Sequence, residues 1–386
     1  MGVLKRIKRN CQMKSILRNL LKLGIKCYHT RVTSNFIKTL KGKKVLMMHA
    51  SPHNYNMLKQ RPHHFLDFWA KQFDAVFYWS LLIDEPVKYK DNIYLVPRTP
   101  VHKFNDVDIY FYMSSVSCMY YKQFFKMKEF GYKIIYDYYD ELSDSIASTK
   151  KSKKSHEKLA EINPQIILAT SQRLYDDMKS KIPNKEEIYL IKNGVTVEDF
   201  MKPEAEIPED MKDIIAQNKP IVGFYGLIAP WIDIDLIEEC LKNRPEYNFV
   251  FIGKQHNNQK YEHLLKYPNF YFLGHKKYED LYKYSSRFDC AIIPFKEGNI
   301  AKATSPNKLF EYMAVGCPTV CTKDLVECYG FEGVYVSKTS QEFIKDIDNA
   351  IIEAQDPIII EKLQKTAMEN SWENKADEIY KLMKNI

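Results

Sequence analysis

The chain has 386 residues, enough for two ordinary domains with sizeable cores, and its composition (45% hydrophobic, 27% charged, 27 Tyr, 21 Phe) is that of a globular protein. No apolar run reaches membrane-spanning length; eight scattered cysteines without a CxxC pair argue against a zinc site and fit buried free thiols in a reducing compartment. Net charge is +8, yet residues 1–44 hold 13 Lys and Arg and no acid, so the rest carries 44 basic against 49 acidic residues, a net of −5.

The basic start has no apolar stretch behind it and does not read as a cleaved signal peptide. Residues 13–23 divide as an amphipathic helix, with Met13, Ile16, Leu17, Leu20 and Leu21 on one side and Lys14, Arg18 and Lys22 on the other. Such a helix can lie on an anionic membrane surface, pack on the protein's own body, or serve as a basic arm for nucleic acid. A body of net −5 lacks the broad basic surface that nucleic acid requires, so no nucleic-acid partner is expected. The expectation is a cytoplasmic protein, peripheral on the inner face of the membrane through residues 1–30.

From Lys43 onward apolar strand patterns alternate with helical ones. Strands are expected at 45–50, 74–80, 92–96, 108–113, 133–137, 165–169 and 188–191. Helices are expected from Pro62, over a Tyr/Phe-rich segment ending at Glu129, and from Ser171 to Lys181. Residues 149–160 read as a polar helix or loop, and the charged, Pro-bearing stretch 201–219 reads as a linker. A second alternating block follows, with strands at 221–225, 248–252 and 270–273 and helices from Asp233 and over 278–285. Alternation of this kind predicts α/β architecture: two Rossmann-like domains facing a cleft, preceded by the basic amphipathic helix. The boundaries are 1–42 for the basic segment, 43–200 and 201–368 for the two domains, and 369–386 for a C-terminal helix packing back on the first domain.

The stretch from Phe288 to Cys321 contains the sharpest local signal. It reads as a buried strand (290–294), a polar loop, a helix starting at Ser305-Pro306 and stopping at Gly316-Cys317-Pro318, and a second strand (319–321). Ser305 suits the N-cap and Pro306 the first helical position. Lys308 then occupies the third, where a capping box wants Glu or Gln and where the helix dipole disfavours a cation. Two readings stand on spacing alone. Lys308 and Glu311 form a solvated pair at i, i+3, or an anion such as a diphosphate docks on the helix N-terminus while Glu311 accepts from sugar hydroxyls.

Other chemistry is sparse. There is no GxGxxG after a strand, no GxxxxGK[ST], no HExxH and no GxSxG. Asp106-Val-Asp108 and Asp233-Ile-Asp235 could hold a metal, but a strand start and a helix start explain them, so no metal site is expected. His63-His64 follows Arg61 at a helix start, either as structural residues or facing the cleft. Asp137, Asp140, Glu141 and Asp144 cluster at a strand's carboxyl end, either as an exposed acidic loop or as groups that orient a hydroxyl.

Several segments together carry a resemblance: QRPHHFLDFWA, IIYDYYDE, IILATSQRLYDDM, IKNGVTVEDF, VGFYGLIAPWID, FLGHKKYEDLYKY, FDCAIIPF, SPNKLFEYMAVGCPTV and SWENKADEIYKLM. Their order, from about residue 43 to the end, resembles the GT-B nucleotide-sugar glycosyltransferases, nearest to glycosyltransferase family 4 of capsule and cell-wall polysaccharide synthesis. The resemblance implies a UDP- or GDP-sugar donor on the second domain and a saccharide or lipid-linked saccharide acceptor on the first. It further implies retaining, metal-independent hexosyl transfer with no cofactor. The donor site implied comprises Gly226, Trp231, Gly253, Lys254, Gly274, His275, Thr304, Ser305, Pro306, Lys308, Leu309 and Glu311. Glu311 is the position that bonds the donor ribose, and Gly274-His275 sit by the base. Asp140, Glu141 and His63 are the catalytic candidates.

Three departures from the family pattern are visible. Ala303 stands where the first of two carboxylates is usual, SPHNYNMLKQRP lacks a glycine pair, and LIAPWID lacks the basic pair that clamps phosphates. Lys254 and Lys308 are the substitutes for that pair. The alternatives are a catalytically silent GT-B sugar-binding module and a nucleotide-sugar epimerase.

Overall fold

The computed structural model describes residues 31–49, 60–79, 86–96, 101–116, 121–142, 149–202, 206–256 and 260–386. The expected amphipathic helix at 13–23, the loop at 51–59 and Asp144 lie outside the described residues. The described residues divide into two compact units, one within 1–137, 149–166 and 386, the other within 138–148 and 167–385.

In the first unit, β1 (Lys44–His49), β2 (Ala75–Trp79), β3 (Val87–Lys90), β4 (Ile93–Val96), β5 (Asp108–Ser114) and β6 (Lys133–Tyr138) stand in the order β3-β4-β2-β1-β5-β6. All neighbours are parallel except β3 and β4. The near-continuous apolar runs of β1 and β5 follow from burial on both faces. Residues 31–38 form a helix whose Phe36 ring meets Phe77 and Tyr94 edge-on at 5.7 and 4.9 Å. This part of the basic segment packs on the protein's own body. Strand β3 was not expected: VKYK is exposed throughout, and a charged edge strand carries no apolar signal.

The second unit contains β8 (Ile188–Leu190), parallel to β7 (Ile166–Ala169), and a six-stranded parallel sheet. That sheet comprises β9 (Ile221–Tyr225), β10 (Asn248–Ile252), β11 (Phe270–Phe272), β12 (Cys290–Ile293), β13 (Thr319–Thr322) and β14 (Val334–Ser337) in the order β11-β10-β9-β12-β13-β14. The helices used below are α1 (Arg61–Ala70), α2 (Gln172–Lys181), α3 (Ile234–Asn243), α4 (Asn299–Ala303), α5 (Asn307–Ala314), α6 (Pro357–Glu369) and α7 (Trp372–Met383). Cys240, Cys290, Cys317, Cys321 and Cys328 are buried free thiols.

Two local expectations are corrected, and the helix start expected at Asp233 is met. The 201–219 stretch is not a bare linker: a helical turn at 209–215 seats Met211 and Ile214 in the core, and Asn248 Nδ2 donates to the Ile214 carbonyl. Asp233 is the N-cap of α3, accepting from the Leu236 amide at 3.1 Å, which accounts for the second Asp-x-Asp. Helix α5 starts one residue later than expected. Pro306 is its N-cap and Lys308 its second residue, and no side chain caps the first turn. Its stop is as expected: Gly316 (φ +76°) and Cys317 donate to the Met313 and Tyr312 carbonyls, a Schellman closure.

Candidate active site

The site is built at the carboxyl ends of β9, β10 and β11, where parallel sheets leave their crevice. Gly226, Gly253 and Gly274 follow these three strands, and their backbones are tied across neighbouring strand ends. The Gly226 amide donates to the Ile252 carbonyl, and the Gly253 amide to the Gly274 carbonyl, each at 2.9 Å. A Cβ on Gly253 would lie 1.7 Å from the Gly226 carbonyl oxygen, and both residues hold a positive φ, so only glycine fits this approach. The following turns are tied across as well. The Ile228 amide donates to the Lys254 carbonyl and the Lys296 amide to the Trp231 carbonyl. His275 is exposed; burial first, then Lys254 and Lys276, hold its pKa below the ordinary value.

Helix α5 enters this floor from the side. Leu309, Tyr312 and Met313 are fully buried, the face expected from their spacing; each such side chain contributes about 1.5–3 kcal/mol. Leu309 donates its amide to the Pro306 carbonyl and otherwise seats the helix on the core. Lys308 reaches over the rings of Phe224 and Phe295, 5.0 and 5.2 Å from their centroids, and its Nζ lies 3.1 Å from the position of a Cβ on Gly226. Burial pushes its pKa down to about 8. Among the described residues, no carboxylate lies within ion-pair distance of it.

Glu311 is buried, and both its oxygens are engaged. Oε2 accepts from the Tyr225 hydroxyl at 2.7 Å and Oε1 from the Tyr278 hydroxyl at 3.0 Å. Burial raises the Glu311 pKa, against the pull of the two hydroxyls and of Lys308. Tyr312 completes the cluster, its hydroxyl oxygen accepting from the Tyr225 amide at 3.0 Å. The tyrosines were not among the sequence candidates. Tyr225 in GFYG and Tyr278 in KKYEDL are the signals available, and only folding brings them to one carboxylate.

The loop before α5 is pinned at several points. The Gly298 amide donates to Asp324, Thr304 Oγ1 donates to the Ile300 carbonyl at 2.6 Å, and Ala303 is buried. Ser305 does not cap the helix. Its Oγ accepts from the Asn193 amide at 3.1 Å, and its carbonyl accepts from Asn193 Nδ2 at 2.7 Å.

The catalytic candidates separate. His63 lies in the first unit, buried at the start of α1. Its Nδ1 accepts from the Gln60 amide (3.0 Å), so the neutral ring carries its proton on Nε2, which faces the Tyr78 hydroxyl at 2.8 Å. Asp137 is fully buried and accepts from Arg61 Nε (2.7 Å) and from the Tyr112 hydroxyl, a structural ion pair rather than part of an open acidic loop. Asp140 and Glu141 follow β6 in the second unit and are partly buried. Glu141 accepts from Arg173 Nε at 3.2 Å, and with Arg173, Asp176, Lys192, Lys302 and Glu327 it lines an open cavity of about 840 Å³. Among the described residues, no three His, Cys, Asp or Glu side chains converge as metal ligands, and no helix is long and apolar enough to cross a membrane.

Residues 219–352, which hold the glycine turns, Lys308 and Glu311, match the family described as "Glycosyl transferases group 1". The fold is shared with solved glycosyltransferases. Anabaena HepE, solved with UDP, superposes with a TM-score of 0.66 at 16% identity over 89% of this chain and 100% of its own. An Escherichia coli trehalose-6-phosphate structure bound with UDP-2-fluoro glucose gives 0.66 at 11% over 89% and 99%. In sequence, the chain is 29% identical over 160 residues to Bacillus subtilis (strain 168) TuaH, named as a teichuronic acid biosynthesis glycosyltransferase. That match covers 40% of each protein, so the chain spans about two fifths of the relative's length. The fold is thus the GT-B fold of these solved structures, and residues 219–352 match the group 1 glycosyltransferase family.

Proposed function

We propose that this protein is a glycosyltransferase that moves a hexose from a nucleoside diphosphate donor to a saccharide or lipid-linked saccharide in surface polysaccharide synthesis. The observation that carries this reading is Lys308: a partly buried cation, with no carboxylate at ion-pair distance among the described residues, on the uncapped first turn of α5 beside Gly226. A buried charge at the wrong end of a helix dipole costs stability, and a docking diphosphate offsets that cost. The UDP in Anabaena HepE and the TuaH name support a nucleotide-sugar donor and a polysaccharide product.

In this reading the α5 amides and Lys308 stabilise charge that develops on the leaving diphosphate. Transfer is retaining, needs no metal ion and no cofactor, and proceeds without a protein nucleophile. Glu311 holds the ribose hydroxyls with the lone pairs its tyrosines leave open, Gly226 and Gly253 admit the donor closely, Lys254 joins Lys308 at the diphosphate, and Gly274 and His275 sit by the base. Asp140 or Glu141 orients the acceptor hydroxyl. Residues 1–30 hold the enzyme on an anionic membrane surface.

Calorimetric titration with UDP, GDP, UDP-glucose and GDP-mannose tests the reading. One nucleotide series binds the wild type, and Lys308→Ala weakens it about 10–100-fold, the loss of one charge-assisted contact of about 1.5–3 kcal/mol. Absence of binding by every member overturns the donor site. A second reading, a silent sugar-binding module, is favoured by Ala303, since the usual carboxylate is replaced by a small buried side chain. Binding of a nucleotide-sugar with neither hydrolysis nor transfer across an acceptor panel selects it.

A further inference from the structure

The geometry points to Asn193 as a positioning residue for the anion site on α5, with Glu327 fixing the strand end that carries it; this rests on the donor-site reading above. Pro306 has neither an amide proton nor a side-chain oxygen, so helix α5 cannot anchor its own start. Ser305, the residue before it, spends its hydroxyl oxygen and its carbonyl on Asn193, which is 112 residues distant in sequence. The two bonds come from different groups of Asn193, the main-chain amide and the side-chain amide. Together they fix both the location and the orientation of the Ser305 peptide. Lys308 sits on the turn that this peptide begins.

Asn193 is itself held on three sides. Lys192 pairs through Nζ with Glu327 Oε2 at 2.8 Å, while Glu327 Oε1 accepts from the Gln172 amide at 2.6 Å. Glu327 is only 3% exposed, and its charge is accommodated because it meets both the lysine and the positive end of α2. On the other side, a Cβ on Gly194 would lie 2.4 Å from the Asn370 carbonyl oxygen. Val195 donates to that carbonyl at 3.2 Å and accepts from the Trp372 amide at 2.9 Å. The segment 192–195 is therefore a rigid template seated between α2, the 326–328 turn and the start of α7. The donor site inherits its precision from residues that need not touch the donor, and small displacements of such supports are costly in a site built on fixed dipoles.

The test uses the full chain with UDP and GDP as probes, titrated into wild type, Asn193→Ala, Asn193→Asp, Ser305→Ala and Glu327→Gln. Asn193→Ala is expected to weaken the nucleotide that wild type binds by about tenfold, with the thermal midpoint held within a few degrees. Asn193→Asp should weaken it further, because a carboxylate then faces the Ser305 carbonyl. Ser305→Ala removes one bond and should cost least. Glu327→Gln turns an amide toward Lys192 and should fall between Ser305→Ala and Asn193→Ala. In turnover assays the loss falls on donor KM and kcat/KM, with acceptor KM kept. Affinity within twofold of wild type in folded Asn193→Asp or Ser305→Ala overturns the proposal. A wild type that binds neither nucleotide instead overturns the donor reading on which it rests.

Discussion

Replacing Lys308 by Met keeps the apolar stem and removes the charge, so it isolates what that charge costs the nucleotide-free protein. Burial holds the Lys308 pKa down at about 8 against an ordinary 10.5. At about 1.36 kcal/mol for each tenfold change, the charged side chain costs the folded state roughly 3 kcal/mol at neutral pH. The unfavourable helix dipole is part of the same electrostatic cost. A base whose folded pKa is depressed supports the fold above its unfolded value and loses that support as pH falls through the folded one. Lys308 is neutral in both states above about 10.5, and below about 8 it is charged in both, with the full cost imposed on the fold.

The Met variant is therefore expected to be more stable than wild type at pH 7 by up to about 3 kcal/mol, with the gap closing between pH 8 and 10.5. Chemical denaturation of both proteins across this range measures it. Buried tyrosines destabilise both alike as they ionise, so the difference between the two curves reports Lys308. Adding the cognate nucleotide should narrow the gap, because a concentration of 100 times the wild-type Kd stabilises wild type by about 2.7 kcal/mol and the variant by much less. A Met variant less stable than wild type at pH 7, or a gap that does not change with pH, refutes the reasoning.

Arg61→Met strands the buried Asp137 carboxylate and should cost about 3–5 kcal/mol in denaturant unfolding, with Asp137→Asn in the same chain recovering much of the loss. Glu311→Gln should be least tolerated at acid pH: the raised carboxyl pKa means that Glu311's contribution is present below the ordinary carboxylate range and is lost as pH rises through its folded value. The wild-type advantage in thermal midpoint should accordingly shrink from pH 4 upward. Tyr278→Phe releases Glu311 Oε1 toward Lys308, and calorimetry should show about tenfold weaker nucleotide binding without loss of stability. Deleting residues 1–30 should abolish flotation with anionic liposomes while leaving the circular dichroism of the remainder unchanged.

What could be read in the sequence follows the reach of each interaction. Strands β9 and β10 appeared at their observed boundaries because strands buried on both faces write continuous apolar runs. Strand β3 escaped because VKYK is exposed and its pairing with Ile93–Val96 leaves no mark on its composition. The Schellman stop of α5 was legible, since a glycine followed by Cys-Pro permits little else. Its start was not. Ser-Pro serves equally as N-cap and first residue or as the pair one step earlier, and the choice is made by Asn193, which no local pattern connects to Ser305. His63 takes the third helical position behind Gln60, where a capping-box acceptor belongs, a role that a helix start expected at Pro62 did not reveal.

Spacing alone left Lys308 and Glu311 as either a solvated pair or the two halves of a ligand site, and the tyrosines bear on the first of these. A direct bridge would relieve both residues at once, since burial disfavours the charge on each. Among the described residues no such bridge forms; the Tyr225 and Tyr278 hydroxyls each bond one Glu311 oxygen and fix where the carboxylate points. Each tyrosine is in turn fixed: Tyr225 at the end of β9, where its amide meets the Tyr312 hydroxyl, and Tyr278 against the edge of the Phe200 ring at 5.7 Å. The arrangement keeps the lysine beside Gly226 with no bridging carboxylate among the described residues, at a cost to the empty fold. Such a cost fits the anion site proposed above, and a solvated pair would have required none of it.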